Sequence, residues 1–214
     1  MHNFSKNPFS LFSLIIANLL PLFFVFRGTA SLFIILLLYW SENIVIGLYA
    51  IPKIILAQKG VGGLLFIPIF LFHFSIFSFI HFAFLSTVFS SYDTSSPIAL
   101  LTDPFVTGTF MSAWIIIAGF FVSHGISFFT NFIGKQEFRS TNSTQEMFAP
   151  YKRIGLMQLG LFVGALPIFI AAHSETFEKY LIIFLIFIKL ALDLYTYRKT
   201  HVSRQDKLQS ISSA

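Results

Sequence analysis

The sequence predicts an all-α fold, a polytopic membrane helical bundle of six transmembrane helices, and three observations carry that expectation. Of 214 residues, 56% are hydrophobic and only 11% charged, whereas a soluble globular protein carries about 25% charged residues. The apolar residues, 30 Phe among them, gather into six runs of bilayer-spanning length rather than into short amphipathic segments. Lys and Arg fall almost wholly on one side of the alternation those runs impose.

The runs are Leu11 to Phe26, Ser31 to Leu56, Gly62 to Phe89, Val106 to Ile133, Ile154 to Ala172, and Tyr180 to Tyr197. At a 1.5 Å rise, about 20 residues cross the hydrocarbon core, so each suffices or nearly so. The second, third and fourth exceed that length and should tilt, kink or project. Pro21, Pro52, Pro68 and Pro167 lie within or at the ends of runs, where neighbouring groups can satisfy the freed carbonyls. Lys6, the first run and Gly28-Thr29-Ala30 outline a cleaved signal peptide. Arg27 crowds that cut, however, and Ser31 opens another run, so the first run reads as a span. Small residues four apart, Gly160 and Gly164 in the fifth run and Gly119, Ser123 and Ser127 in the fourth, mark candidates for close helix contact.

With the N-terminus inside, eleven basic residues (Lys6, Lys53, Lys59, Lys135, Arg139, Lys152, Arg153, Arg198, Lys199, Arg204 and Lys207) face the cytoplasm. Arg27 and Lys179 alone face outward. The expectation is a multi-pass protein of the cell membrane with both termini cytoplasmic. Residues 1–197 form a single six-helix domain, and 198–214 a polar cytoplasmic tail whose Gln209-to-Ala214 end is expected to be mobile. The longest connections, Ser90 to Phe105 outside and Gly134 to Arg153 inside, are too short for a domain. The partner is the lipid bilayer. The net charge of +5 is scattered between apolar runs and makes no continuous face for nucleic acid. Cys is absent, which excludes disulfides, thiolate metal sites and cysteine nucleophiles.

An ionisable group at bilayer depth costs about 2.5 to 3.5 kcal/mol on insertion scales, so each should face the bundle interior with a partner. Glu42, His73, His81, His124, Lys189 and Asp193 qualify, with Asn18, Asn43, Asn131 and Gln158 as uncharged companions. Glu42, His73 and Lys189 fall near the midplane. His81 sits about 12 Å outward of His73 on the same helix, and His124 lies toward the cytoplasm in the fourth run. Lys189 and Asp193, four apart, suit an intrahelical pair; in the functional alternative Asp193 orients a histidine and Lys189 pairs with Glu42. Glu42, His73, His81, His124 and Asp193 are the candidate ligands of a divalent metal such as zinc or iron, or the members of a proton relay. No HExxH motif is present, and the spacing of His73 and His81 selects no metal. His2, His173 and His201 read as solvated terminal or loop residues.

Ser123-His124 and Ser127 suggest an intramembrane serine protease, but such enzymes carry a Gly-x-Ser-Gly nucleophile and a histidine on the last span. Here the last span holds Lys189 and Asp193 instead. Two further readings use the same polar residues: a small-solute or ion transporter or channel, for which a homo-oligomer would compensate small size, and a non-catalytic scaffold whose polar groups fix helix register. Through Tyr39-Trp40-x-Glu42-Asn43-x-x-x-Gly47, the helix from His73 to His81, and Ser123-His124 with Asn131, the chain resembles an uncharacterised group of prokaryotic multi-pass membrane proteins of unknown function. The resemblance spans most of the chain and implies no particular reaction.

Overall fold

The computed structural model describes residues 8–28, 32–57, 64–90, 104–151, 154–155 and 175–212, and these are helical with short turns and no strand. The chain opens with α1, Pro8–Leu19. Proline suits the first turn of a helix, where no intrahelical partner awaits its missing N–H. A second proline, Pro21, interrupts the run between α1 and the short α2, Leu22–Phe26. Gly28 then adopts a left-handed φ of 67°, a conformation that side chains resist. α3 is Leu32–Leu56 and tolerates Pro52 in its last turns; α4 is Phe66–Ser90. α5, Pro104–Ser127, runs on into a π-helical turn at Phe128–Ile133 and, past Gln136 with φ of 54°, a 3-10 turn at Glu137–Ser140. α6 covers 143–151, and α7 is the 38-residue helix Glu175–Ser212.

Among the described residues five segments are long and apolar enough to cross a membrane: Pro8–Phe26, Leu32–Leu56, Phe66–Thr87, Trp114–Ile133 and Lys179–Leu208. They correspond to the first, second, third, fourth and sixth runs of the sequence. The predicted fifth, Ile154 to Ala172, lies outside the described residues apart from Ile154 and Gly155, and Gly160 and Gly164 lie outside them with it. The half of that expected contact on the fourth run is described. A Cβ on Gly119 would come 2.6 Å from Leu20 Cδ1, and the Ser123 hydroxyl donates to Ser13 Oγ at 3.4 Å, so these positions bring α5 against the first helical segment.

Lipid is as apolar as leucine, so helices associate in it through close packing and polar contacts rather than through hydrophobic burial. Both devices occur here. Gly47 lets the Phe74 ring of α4 lie directly on the α3 backbone, and the Trp40 indole N–H donates to the Ser78 carbonyl at 2.9 Å. α3 is the central helix, packed against α4, α5 and α7. Ile35, Leu36 and Tyr39 on α3 form one buried seam with Ile182, Leu185 and Ile186 of α7. α4 leaves Phe72 and Phe79 about 70% exposed, at 72% and 69%, which fits an acyl-facing surface.

The predicted polar tail is not a loose end. α7 continues without a break through Arg198 to Ser212, because Arg198–Ser212 contains neither Gly nor Pro and two of its side chains reach buried carboxylates, as described next.

Candidate charged centre and polar cavity

Three helices bring four ionisable side chains together. Glu42 projects from the middle of α3 and is 2% exposed. Lys189 of α7 donates to Glu42 Oε2 at 2.5 Å, to Asp193 Oδ2 at 2.8 Å and to Asn18 Oδ1 of α1 at 2.5 Å. His124 of α5 meets the other carboxylate oxygen, its Nε2 lying 3.1 Å from Glu42 Oε1. The helical spacing of four places Lys189 and Asp193 on one face, and the depth shared by Glu42 and Lys189 lets the same ammonium serve both carboxylates. The aromatic rings of Tyr39 and Phe120 lie 5.0 and 5.7 Å from that ammonium, adding cation–π attraction where water is scarce. Both pairings anticipated for Lys189 are therefore made at once.

The other predicted residues lie elsewhere. His73 is exposed on α4 and pairs through Nδ1 with the Tyr151 hydroxyl of α6 at 2.8 Å. His81 is buried, with Nδ1 2.7 Å from the Phe77 carbonyl one turn back. Asn131 sits in the π-helical turn and donates to Ser10 Oγ at 3.0 Å, tying that turn to the start of α1. Asn43 is buried on α3 beside Glu42. Of the five predicted metal ligands, Glu42 and His124 touch, Asp193 is joined to Glu42 through Lys189, and the two α4 histidines have other partners. Among the described residues no group of three or more His, Asp or Glu is arranged to hold a metal ion. The ammonium of Lys189 already occupies oxygens of Glu42 and Asp193, so the residues present do not fit a metal at this centre.

A second charged cluster escaped the sequence reading. Glu137 in the 3-10 turn is fully buried, and Glu146 of α6 is 2% exposed. His201 Nδ1 lies 2.5 Å from Glu137 Oε1. Arg204 bridges the two carboxylates, donating to Glu137 Oε2 at 3.3 Å and to Glu146 Oε1, and the Thr141 hydroxyl donates to Glu146 at 2.8 Å. Burial pushes the Glu137 carboxyl up, but the His201 and Arg204 contacts outweigh it and hold the group below the usual glutamate range. His201, expected to be solvated, is thus a partner of a buried acid. The signal was present in the sequence: Tyr197, His201, Arg204, Leu208 and Ile211 recur at helical spacing, extending one face of α7 past the apolar run.

Between the two clusters lies a cavity of about 560 Å³. Its walls come from Ser10 of α1, Ile46, Ala50 and Lys53 of α3, Ser123, His124 and Ser127 of α5, the turn and helix around 140–150, and one side of α7 between Tyr195 and Lys207. Eight serine and threonine hydroxyls face it, and His124 forms part of its wall, nine residues inside the Ile133 end of its span. The cavity thus leads from the end of the bundle rich in Lys and Arg to the imidazole that touches Glu42.

These features define a class: a protein whose described residues are helical, with five helices among them of membrane-crossing length and apolarity, packed around a buried charged quartet that a polar cavity approaches from one end. The family model for a family of unknown function, DUF6498, matches residues 2–210, nearly the whole chain, and the chain belongs to that family. No curated protein and no solved structure matches it.

Proposed function

We propose that this is a six-span protein of the cell membrane, its Lys- and Arg-rich end and both termini in the cytoplasm, whose charged quartet accepts and passes protons through His124. The observation that carries the reading is the contact of His124 with Glu42 at the wall of the cavity. Lys189 bridges two carboxylates, so with neutral His124 the quartet holds one surplus negative charge. A net charge at bilayer depth is disfavoured by several kcal/mol, about 3 on insertion scales. One proton removes it: taken up from the cavity by the imidazole, it leaves an Nε2–H donating to Glu42 Oε1. Passed to the carboxylate, it leaves the imidazole neutral and Glu42 a hydrogen-bonded acid. Histidine suits this exchange because its unperturbed titration lies near physiological pH.

Liposomes holding the protein and a pH-sensitive dye, with a potential imposed by a potassium gradient, test the reading. Proton entry is expected above that of protein-free vesicles, retained by Lys135→Ala and abolished in folded His124→Ala and Glu42→Gln. Equal entry in wild type and His124→Ala would reject it. A second reading, a small-solute transporter using the same centre for coupling, is favoured by the cavity itself, whose volume falls in the range of about 300 to 1,000 Å³ usual for small-molecule sites.

A further inference from the structure

The charge lining the cavity is lopsided. Among the described residues Lys53, Lys199, Arg204 and Lys207 face it, against one carboxylate, Glu146. Arg204 is also held from behind by Glu137. Glu137 and Glu146 both answer Arg204, whereas the exposed Lys199 and Lys207 join no ion pair among the described residues. Lys53 is partly buried and its ammonium lies 5.6 Å from the Phe132 ring, so this charge stands against an apolar wall as well as at the rim. The remaining polar surface is dominated by hydroxyls, which both donate and accept. A metal cation would be repelled by this lining, and an apolar ligand would leave the hydroxyls and ammoniums unmatched. Along α7 the lining extends from Tyr195 to Lys207, a rise of about 18 Å. A bare inorganic anion would fill only part of a space of that length.

We propose that the cavity binds a small hydroxylated organic phosphate, the phosphoryl group held by Lys199 and Lys207 and the hydroxylated body lying along the Ser and Thr wall toward His124. A phosphate monoester carries about −1.5 to −2 charge at neutral pH, which suits two ammoniums, and lysine ammoniums bind phosphate as point charges without the fixed fork that arginine needs. Arg204 supports the site from its bridge to Glu137 and Glu146. The glycerol-phosphate unit occurs as a monoester in a free solute and as a singly charged diester in the headgroup of phosphatidylglycerol, and both present an anionic phosphate beside glycerol hydroxyls. The proposal stands on the cavity and its charge, and it holds whether or not protons move through His124.

The test uses the full chain in nanodiscs, with glycerol 3-phosphate as probe and glycerol as the neutral control, read by isothermal titration calorimetry. In phosphatidylcholine discs, saturable binding of glycerol 3-phosphate is expected, with none of glycerol. It should weaken about tenfold or more, roughly 1.4 kcal/mol, in Lys199→Ala/Lys207→Ala. Both lysines are exposed, so that variant should keep its circular dichroism and elution volume, and Lys135→Ala should bind like wild type. Raising salt should weaken binding, as for any rim held by partly exposed charges. If phosphatidylglycerol discs suppress the probe, and wild type but not the double variant retains phosphatidylglycerol on delipidation, the ligand is the headgroup; if the probe binds equally in both discs, it is a free solute. Each supports the site. Equal binding of glycerol and glycerol 3-phosphate, unchanged affinity in the double variant, or no phosphate binding in either disc would overturn it.

Discussion

Replacing Lys189 by methionine is the sharpest perturbation of the centre, because the side chain keeps its length and loses only its charge and donors. The ammonium now bridges Glu42 and Asp193 at 2.5 and 2.8 Å, offsetting one of their two charges. Without it two carboxylates remain, and His124, 3.1 Å from Glu42, can offset one. The other is left at bilayer depth, where insertion scales place the penalty at about 3 kcal/mol. Loss of a neutral hydrogen bond between membrane helices is smaller, averaging about 0.6 kcal/mol, so the charge term decides the outcome. Lys189→Met should therefore lose about 3 kcal/mol of unfolding free energy. Glu42→Gln, which leaves Lys189 with Asp193, should lose about 1 kcal/mol. Lys189→Met/Asp193→Asn restores the balance and should regain most of the loss. Steric-trapping or detergent-titration unfolding in bicelles measures all three. A Lys189→Met loss below about 1 kcal/mol, or a double variant no more stable than the single one, would refute the claim that shared neutralisation holds the three helices together.

Arg204→Ala should cost about 3 to 5 kcal/mol by leaving buried Glu137 and Glu146 without their bridge, and hydrogen exchange should rise in the last turns of α7 and in α6. The Glu137 carboxyl titrates below its ordinary value, so its contribution is fully present above the unfolded-state pKa of about 4.3 and is lost as pH falls through the lower folded value. The stability difference between wild type and Glu137→Gln should accordingly be constant near neutrality and shrink in acid, as unfolding curves at stepped pH would reveal. Gly47→Ala forces a methyl group into the buried Phe74 ring and should destabilise the α3–α4 pair by about 1 to 3 kcal/mol, whereas Gly155→Ala, where nothing lies within 4 Å, should be close to neutral.

The legible part of this molecule is the part that hydropathy and charge cost dictate. Five of six apolar runs reappear as helices of membrane-crossing length, and the argument that a charge in lipid needs a partner led to Glu42, Lys189 and Asp193 meeting. Spacing alone supplied the Lys189–Asp193 pair. Helix rotation was not legible: α4 is phenylalanine-rich on every side, so nothing in its pattern showed that His73 would lie exposed against Tyr151 rather than face Glu42. Nor did the polar connection after Ile133 distinguish a solvated loop from a folded turn. Glu137 and Glu146 look like ordinary surface acids until α7 is seen to carry His201 and Arg204 up to them.

α7 contains no Gly or Pro from Glu175 to Ser212, and Lys189 and Arg204 ride on it fifteen residues apart, about 22 Å along one axis. With no hinge residue between them, the shaft behaves as a single lever whose two handles are gripped by different parts of the bundle. A sliding or twisting of its Arg204 end that loosened the grip on Glu137 and Glu146 would travel along the same helix to the ammonium that holds Glu42.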